Sequence, residues 1–446
     1  SNNFRRHNNM ENNSLQKNLG FGAALSTLVG GVIGSGVFFK PQAIYTATGG
    51  APGLGIMGWV LAGIITIAAG LTVAELAAVI PKTGGMMIYI KEIYGDKIGF
   101  ISGWIQTVLF FPGLTAALGV VFADQFVVLS GMTSLKIPVA IFTILVLSYL
   151  NSLGSKSGSI IQNISTICKI IVLIAVIVLG FVLGKGNNPI LSPVVAEGVS
   201  PVSSMGKILI AIFFAFDGWI NVTALAGEMK NPGKDLPKAI VGGISLVAAI
   251  YLIINVSFLW VVPADVLANS VSPATTVVNT ILGPVGGKII GIGIMISVFG
   301  ATNAYIFTGS RVLYALAQDP HLPKGEYLSQ LNKNDAPGKA LLAMGILSSL
   351  FALSGQFNLL TDFAVFSVWI CIVLCFFGVI IMRKKQPDLE RSYKVPLYPI
   401  TPIIAIISGL FVLGNQLFTS TLLACGGIVI MLLGLPVYSY MDKKVK

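Results

Sequence analysis

The sequence predicts an all-α integral membrane protein with twelve transmembrane helices, of which the first and the sixth are interrupted. Three observations lead to this prediction: the composition, the spacing of the apolar runs and the distribution of basic residues. Of the 446 residues, 55% are hydrophobic and only 10% are charged. Soluble domains carry about 25% charged residues, so this composition excludes a water-soluble fold.

Apolar runs separated by charged residues or by Pro and Gly clusters define the expected spans. A spanning helix needs about 20 residues. The runs that begin at Ile137, Leu341 and Ile403 are shorter, although small or apolar neighbours can lengthen them. In chain order the expected spans are Leu19–Phe39, Leu54–Ile80, Ile98–Leu129, Ile137–Leu150, Ile160–Leu183, Ile208–Leu225, Ile240–Val262, Val285–Leu316, Leu341–Leu353, Leu359–Met382, Ile403–Leu417 and Leu422–Tyr440.

The basic residues predict the orientation of the chain. If the spans alternate sides, 21 of the 28 Lys and Arg residues lie on the side of the N-terminus and 5 on the other, while Lys169 and Arg311 lie within spans. Cytoplasmic loops carry such an excess of basic residues. We therefore expect both termini in the cytoplasm of a plasma-membrane protein. The basic residues of the cytoplasmic loops account for the net charge of +11. No nucleic-acid partner is therefore expected.

The two ends of the chain are predicted to be short cytoplasmic tails, residues 1–18 and 441–446, around a membrane domain over residues 19–440. Residues 1–14 have no apolar core, so they do not read as a signal peptide, and part of them reads as a remnant of an expression tag. All four cysteines lie in apolar runs, which argues against a disulfide framework or a zinc site.

Two of the expected spans contain breaks in corresponding places. The first contains four glycines between Gly30 and Gly36, each of which weakens a helix by about 1 kcal/mol relative to alanine. The sixth contains Asp217 and Gly218 halfway along its apolar run. Taken alone, the glycines of the first span could simply permit close helix packing. The paired breaks instead favour a functional origin.

The positions of the breaks divide the chain into repeats. Spans one to five cover residues 19–183 and spans six to ten cover residues 208–382, so each block begins with an interrupted helix. Because five is odd, the second block enters the membrane from the opposite side. This predicts two inverted five-helix repeats followed by two extra helices over residues 403–440. Such repeats are typical of secondary transporters with a substrate site at the membrane midplane.

Four groups of motifs connect this pattern to a known family. They are VIGSGVF at residues 32–38, AEL at 74–76 with PKTGG at 81–85, GEMKNP at 227–232, and SR at 310–311 with DPHLP at 319–323. These motifs resemble the amino acid–polyamine–organocation superfamily, and within it the L-type amino acid transporter branch, where the chain is similar to bacterial alanine-serine-cysteine exchangers. The resemblance extends over the chain from Lys17 onward.

The resemblance implies a LeuT-like fold and sodium-independent antiport of small neutral L-amino acids of the alanine, serine and cysteine type. A cationic or broad-range exchanger and a proton-coupled symporter of the same fold remain alternatives. Animal members of the branch pair with a heavy subunit through a disulfide in the loop after the third helix. That loop, around residues 131–136, contains no cysteine, so no disulfide-linked heavy subunit is expected.

The breaks also supply the groups that a zwitterionic substrate needs. Unwinding at Gly34, Ser35 and Gly36 frees backbone N–H groups at the start of a half-helix, which suit a carboxylate. Unwinding of the sixth span frees carbonyl groups for an ammonium. By resemblance, the carboxylate binds at Ser35 and Gly36, and Phe214 covers the substrate as an external gate. Also by resemblance, the ammonium binds carbonyl groups near Val32 and Ile33 and at Phe214, Ala215 and Asp217.

Asp217 and Lys169 are charged residues at membrane depth. Asp217 either favours cationic substrates or caps the half-helix at Gly218 and Trp219. Lys169 lies about 14 Å along the fifth span, and a buried lysine needs a partner. We expect that partner among the carbonyl groups at Gly30 and Gly31 and polar groups of the eighth span; a lysine that reaches the cytoplasm is the alternative. By resemblance, its ammonium takes the place of the ion in sodium-coupled relatives.

Two other function classes fit the sequence poorly. An intramembrane enzyme needs a nucleophile with a base or a metal cluster, whereas the two histidines, His7 and His321, lie in a tail and a loop. A channel needs a selectivity filter, for which no loop is evident. We therefore expect no enzyme activity, cofactor or metal, and only L-amino acid substrates and membrane lipid as partners.

Overall fold

The computed structural model describes residues 15–445, except the side chains of residues 357, 358 and 445, and its regular elements in that part are all helical. Most of the expected N-terminal tail and residue 446 lie outside this range. The α-helices are α1 Phe21–Val32, α2 Gly36–Ala47, α3 Gly53–Val79, α4 Met86–Tyr94, α5 Asp96–Ile105, α6 Phe111–Ser130, α7 Lys136–Ser152, α8 Ser155–Leu183, α9 Pro201–Phe216, α10 Pro232–Val261, α11 Ala264–Ala268, α12 Pro273–Leu282, α13 Pro284–Ala317, α14 Gly325–Leu328, α15 Gly338–Ala352, α16 Phe357–Lys385, α17 Ile400–Thr419, α18 Thr421–Leu432 and α19 Gly434–Val445.

The helices confirm the all-α membrane class. Within the described residues, ten helices are long and apolar enough to cross a membrane, or eleven when α1 and α2 count as one span bent by 42°. The 15-residue helix α15 lies where the ninth span is expected. At 1.5 Å per residue it is shorter than a typical hydrocarbon core of about 30 Å.

Several helices are longer than their apolar runs. Helix α10 begins at Pro232 rather than Ile240, because proline is well accommodated in the first turn of a helix. The third expected span contains a π-helical turn, Gln106–Phe110, directly before Pro112, whose missing N–H perturbs the helical ladder. The last expected span, Leu422–Tyr440, is divided at Leu433 into α18 and α19, and α19 continues past Tyr440 to Val445.

Two short helices that the apolar runs do not predict occupy corresponding places. Helix α4 follows α3, the second helix of the first expected repeat, and helix α12 follows α10, its counterpart in the second. Helix α12 packs against α2, and α4 packs against the 3₁₀ segment Asn221–Glu228 that continues the sixth span. Each short helix therefore contacts the second half of the other repeat's broken span.

Helix α8 shows how the chain separates lipid-facing and interior positions. Ile164, Ile167 and Ile171 lie on one face and are about 60% exposed. Lys169 lies on the opposite face and is 1% exposed. A charged group on the inner face of a helix with an apolar outer stripe points into the helix bundle.

Candidate functional site

The first break separates α1 from α2 at residues 33–35. The amide of Ile33 donates to Val29 O at 3.0 Å, and the amide of Gly34 donates to Val32 O at 2.9 Å. In the described part of the chain, the N–H groups of Ser35, Gly36 and Val37 donate to no backbone or side-chain acceptor. These donors lie at the N-terminus of a helix, where the dipole favours a negatively charged group.

The second break follows α9. The amide of Asp217 donates to Phe214 O at 3.2 Å, and the chain continues as the 3₁₀ segment Asn221–Glu228. Gly218 has φ +94°, a conformation that favours glycine, and a Cβ atom there would lie 2.7 Å from the Tyr305 hydroxyl. The second break thus depends on a glycine for both its turn and its packing.

The two breaks touch each other. A Cβ atom at Gly36 would lie 2.9 Å from Ala215 Cα, so the backbones approach as closely as glycine allows. The Tyr251 hydroxyl donates to Ala215 O at 2.7 Å and lies 3.2 Å from Val32 O. The expected ammonium-binding carbonyl groups of Val32 and Ala215 therefore lie around one hydroxyl of α10. Sequence analysis did not identify Tyr251, because one tyrosine in a long apolar run gives no distinctive signal.

Lys169 lies between the first break and α13. Its Nζ atom donates to Gly30 O at 2.7 Å, Ile33 O at 2.6 Å and Ser297 O at 2.8 Å. These three carbonyl oxygens match the three donors of an ammonium group. The side chain thus points into the bundle, where α1 ends against α13, and is 1% exposed.

Ser297 provides a second link between α13 and the first break. Its hydroxyl lies 3.0 Å from both Ile33 O and Gly34 O. One turn and a half further along α13, Asn303 donates to Gln162 Oε1 at 2.9 Å and accepts from Asn151 Nδ2 at 2.8 Å. These contacts are interhelical hydrogen bonds, the usual role of polar side chains within membrane helices.

Phe214 and Asp217 flank the second break. The Lys40 ammonium lies 4.1 Å from the centre of the Phe214 ring, a cation–π distance. The Asp217 carboxylate accepts a hydrogen bond from the Tyr305 hydroxyl at 3.2 Å and also interacts with the amide of Gly218. The second contact is the capping interaction considered from the sequence.

Three aromatic residues next to the second break, Phe213, Phe216 and Trp219, are buried. Phe216 packs edge-to-face on Tyr251, with ring centroids 5.1 Å apart. These aromatic side chains pack beside the second break.

A buried ion pair and a cluster of three charged side chains lie at the span ends that are expected on the cytoplasmic side. Arg311 Nε is 2.7 Å from Glu228 Oε1, and both side chains are completely buried. Glu75 accepts a hydrogen bond from Arg383 at 2.6 Å, and its carboxylate lies 3.0 Å from Arg391 Nε. Arg311 lies within an expected span, whereas Arg383 and Arg391 belong to the basic residues of the expected loops.

The segment before α1 is tied to the end of the second break. Leu19 N donates to Glu228 O at 2.9 Å, and Lys230 N donates to Leu19 O at 2.9 Å, which forms a parallel bridge between Leu19 and Met229. Glu228 thus binds Arg311 through its side chain and Leu19 through its backbone.

A polar cluster outside the spans surrounds Asp319. Burial alone would raise the pKa of Asp319, but hydrogen bonds from His321 and the charge of Lys91 outweigh burial and lower it. Lys91 Nζ lies 3.1 Å from the Asp319 carboxylate, and His321 Nδ1 lies 2.7 Å from it. The cluster joins α4 to the loop after α13.

The described residues contain no group of three or more His, Cys, Asp and Glu side chains arranged to hold a metal ion. The four cysteines are free thiols. Cys371 and Cys375 are buried as expected for small hydrophobic residues, whereas Cys168 is partly exposed and Cys425 is exposed on the outer surface of the helices.

Comparisons with known proteins agree with this architecture. A family model described as amino acid permease matches residues 19–434. The chain is 40% identical over 438 residues to the serine/threonine exchanger SteT of Bacillus subtilis (strain 168), an alignment that covers 97% of this chain and 99% of the relative. It is 31% identical to the b(0,+)-type amino acid transporter 1 of Homo sapiens over 89% of this chain and 82% of the relative. It is 30% identical to the Asc-type amino acid transporter 1 of Mus musculus over 95% and 81%.

Proposed function

The chain belongs to the amino acid permease family, and on this premise we propose that it is a sodium-independent exchanger of small neutral L-amino acids. The relatives are transporters rather than enzymes, and the resemblance stated from the motifs is confirmed for the superfamily and its L-type branch. The single observation that carries the proposal is the meeting of two helix breaks at Gly36 and Ala215. The name of the Bacillus relative, a serine/threonine exchanger, supports small substrates.

The substrate binds at the two breaks. Its carboxylate accepts hydrogen bonds from the amides of Ser35 and Gly36, whose N–H groups have no other acceptor in the described residues. Its ammonium donates to carbonyl groups near Val32 and at Phe214 and Ala215. Ala215 O accepts a hydrogen bond from Tyr251 and has a second lone pair for the ammonium. Ile33, Gly34 and Asp217 complete the backbone wall, and Phe214 closes the site on the outer side.

Lys169 makes the exchanger independent of sodium. Its ammonium is bound by three carbonyl oxygens at 2.6–2.8 Å, in the place where a coupling cation would need oxygen ligands. A positive charge that is covalently part of α8 cannot dissociate during the cycle. The first break is therefore stabilised without a dissolved ion.

The architecture that we propose is twelve spans with two inverted five-helix repeats and both termini in the cytoplasm of the plasma membrane. Two observations support it: each block of five begins with a broken span, and α4 and α12 follow the second helix of each block. Helix α15 then serves as the ninth span, despite its 15 residues. The protein works by alternating access and without a disulfide-linked heavy subunit.

Counterflow in proteoliposomes tests the proposal. Vesicles preloaded with unlabelled serine or alanine are expected to accumulate labelled serine faster than empty vesicles, equally in sodium and in choline buffer. A requirement for sodium would overturn the proposed coupling, and equal uptake by preloaded and empty vesicles would overturn exchange. An imposed proton gradient that drives uptake into empty vesicles would favour the proton-coupled symporter instead.

Exchange of cationic amino acids is the second candidate, and Asp217 favours it. The Asp217 carboxylate is 9% exposed and is bound by Tyr305 and by the amide of Gly218. Competition by unlabelled lysine or arginine as strong as that by serine would support this candidate. A loss of lysine competition in Asp217→Asn, with serine competition retained, would assign the selectivity to this carboxylate.

A further inference from the structure

A crevice of about 410 Å³ lies between α7 and α15, separate from the two breaks. It is formed by one face of each helix and by the loop that leads into α15. Its walls include Leu145, Ser148, Gln330, Asn332, Lys339 and Leu342.

The crevice changes from apolar to polar along its length. At one end, Leu145 and Leu342 are 42% and 54% exposed and belong to the lipid-facing surface of the helices. At the other end lie Gln330, Asn332 and Lys339, on the side of the molecule where the basic loop residues are concentrated. An amphipathic molecule oriented along the membrane normal shows the same change from apolar to polar.

The shape of the crevice is fixed by contacts beneath it. A Cβ atom at Gly345 would lie 3.0 Å from Ser148 Oγ, so α7 and α15 meet closely at that level. Asn332 Nδ2 donates to Ser152 O at 2.7 Å, which ties the loop before α15 to the end of α7. The polar end is therefore held in place by the protein itself.

The charge at the polar end is not neutralised by a carboxylate. Lys339 is partly buried, and in the described residues no carboxylate lies within 4.0 Å of its ammonium. The ammonium lies instead 4.8 Å from the centre of the Tyr327 ring. A phosphate would supply the missing negative charge, and the cytoplasmic leaflet is rich in anionic lipids that attract Lys and Arg near the membrane.

We propose that this crevice binds an anionic glycerophospholipid of the leaflet on the basic side. The phosphate pairs with Lys339 beside the amides of Gln330 and Asn332, and an acyl chain lies along Leu145 and Leu342. The lipid joins α7 to α15, the shortest of the expected spans. Binding does not depend on which amino acid the protein transports.

The charge requirement is tested with purified protein in a non-ionic detergent, by native mass spectrometry during titration with phosphatidylglycerol or phosphatidylcholine of identical chains. Wild type is expected to retain phosphatidylglycerol preferentially. Lys339→Gln is expected to weaken that retention about fivefold, and Lys339→Arg to preserve it. Lys333→Gln removes an exposed charge of the same loop that does not line the crevice, and it is expected to have no effect.

The chain requirement is tested by filling the apolar end. Leu342→Trp is expected to reduce phosphatidylglycerol retention, whereas Ile346→Trp, one turn further along the same exposed face, is not. Equal retention of the two lipids by wild type, or unchanged retention in Lys339→Gln or Leu342→Trp, would overturn the proposal. Competition by glycerol phosphate as effective as by the intact lipid would also overturn it, since the site would then bind a free phosphate ester.

Discussion

At Lys169, one ammonium donates to three buried carbonyl oxygens, of which Gly30 O and Ile33 O lie at the broken end of α1, where the helical ladder supplies no donor. A buried acceptor without a partner costs about 1–3 kcal/mol. The free energy gained by stabilising this irregular backbone thus offsets the free-energy cost of burying the lysine. Its contribution to transport depends on whether that backbone must be held in place during the cycle.

Lys169→Ala is expected to slow exchange by about tenfold to a hundredfold, because removal of a charged donor costs about 1.5–3 kcal/mol per bond. The protein should still insert and purify as a folded monodisperse species. Exchange is measured in proteoliposomes in sodium and in choline buffer, with Lys185→Ala, an exposed loop variant, as the control. Wild-type rates in Lys169→Ala would show that the lysine has only a packing role.

Substitutions at Ser35 and Gly36 separate a hydroxyl contact from backbone contacts. Ser35→Ala is expected to weaken substrate binding by about 0.5–1.5 kcal/mol, the value of one hydrogen bond. Gly36→Val is expected to abolish binding, because its side chain would collide with Ala215 and cover the amides of the break. Binding is measured by scintillation proximity on purified protein. Tight binding by Gly36→Val would exclude the amides as the carboxylate site.

At the scale of single residues, the sequence predicts functional positions where a charged residue or a cluster of glycines interrupts an apolar run. A lysine within an apolar run demands partners, and the glycines of the first break indicate where carbonyl groups become free. Tyr251 and Tyr305 could not be predicted, because a tyrosine fits an apolar helix whether or not its hydroxyl has a partner. Their roles depend on which helices are neighbours, which only the fold determines.

At the scale of elements, the Glu228–Arg311 pair connects the 3₁₀ segment of the second break to α13. Both side chains are fully buried, so each charge depends on the other for stabilisation. Removal of one partner from such a pair leaves an uncompensated buried charge. The pair therefore holds the segment Asn221–Glu228 against the long helix that also carries Ser297.

Arg311→Met is expected to destabilise the protein by about 3–5 kcal/mol, and addition of Glu228→Gln to recover much of that loss. Thermal unfolding midpoints in detergent measure both effects. Lys82→Met is the matched control, because the Lys82–Glu92 pair is 61% and 44% exposed and such pairs contribute about 0–1 kcal/mol. Equal midpoints for Arg311→Met and Lys82→Met would contradict a structural role for the buried pair.

The long apolar helices were predictable because about 20 apolar residues in a row have few alternatives to a span. Helices α4 and α12 were not, because each is short and mixes polar with apolar residues. The π-helical turn before Pro112 had only the proline as a signal. Short helices of mixed polarity thus cannot be predicted from hydropathy alone.

For the whole molecule, the excess of basic residues on one side predicts the topology. In a background without Cys168, Cys371, Cys375 and Cys425, single cysteines at Lys234 and Lys384 are expected to resist impermeant thiol reagents in intact cells. A cysteine at Lys185, an exposed position on the opposite side, should react. Labelling at Lys234 or Lys384 with protection at Lys185 would invert the topology.

Each half of one broken span contacts one half of the other broken span. The bridge of Leu19 to Met229 joins α1 to the segment after the second break, whereas α2 packs on α9 with Gly36 against Ala215. No hydrogen bond joins the amide of Gly36 to Val32 O, so the helical ladder is already absent at this point. We therefore expect the two pairs to rotate relative to each other about the helix breaks, without breaking a backbone hydrogen bond. The barrier to reorientation would then arise from side-chain contacts, which a bound amino acid can alter.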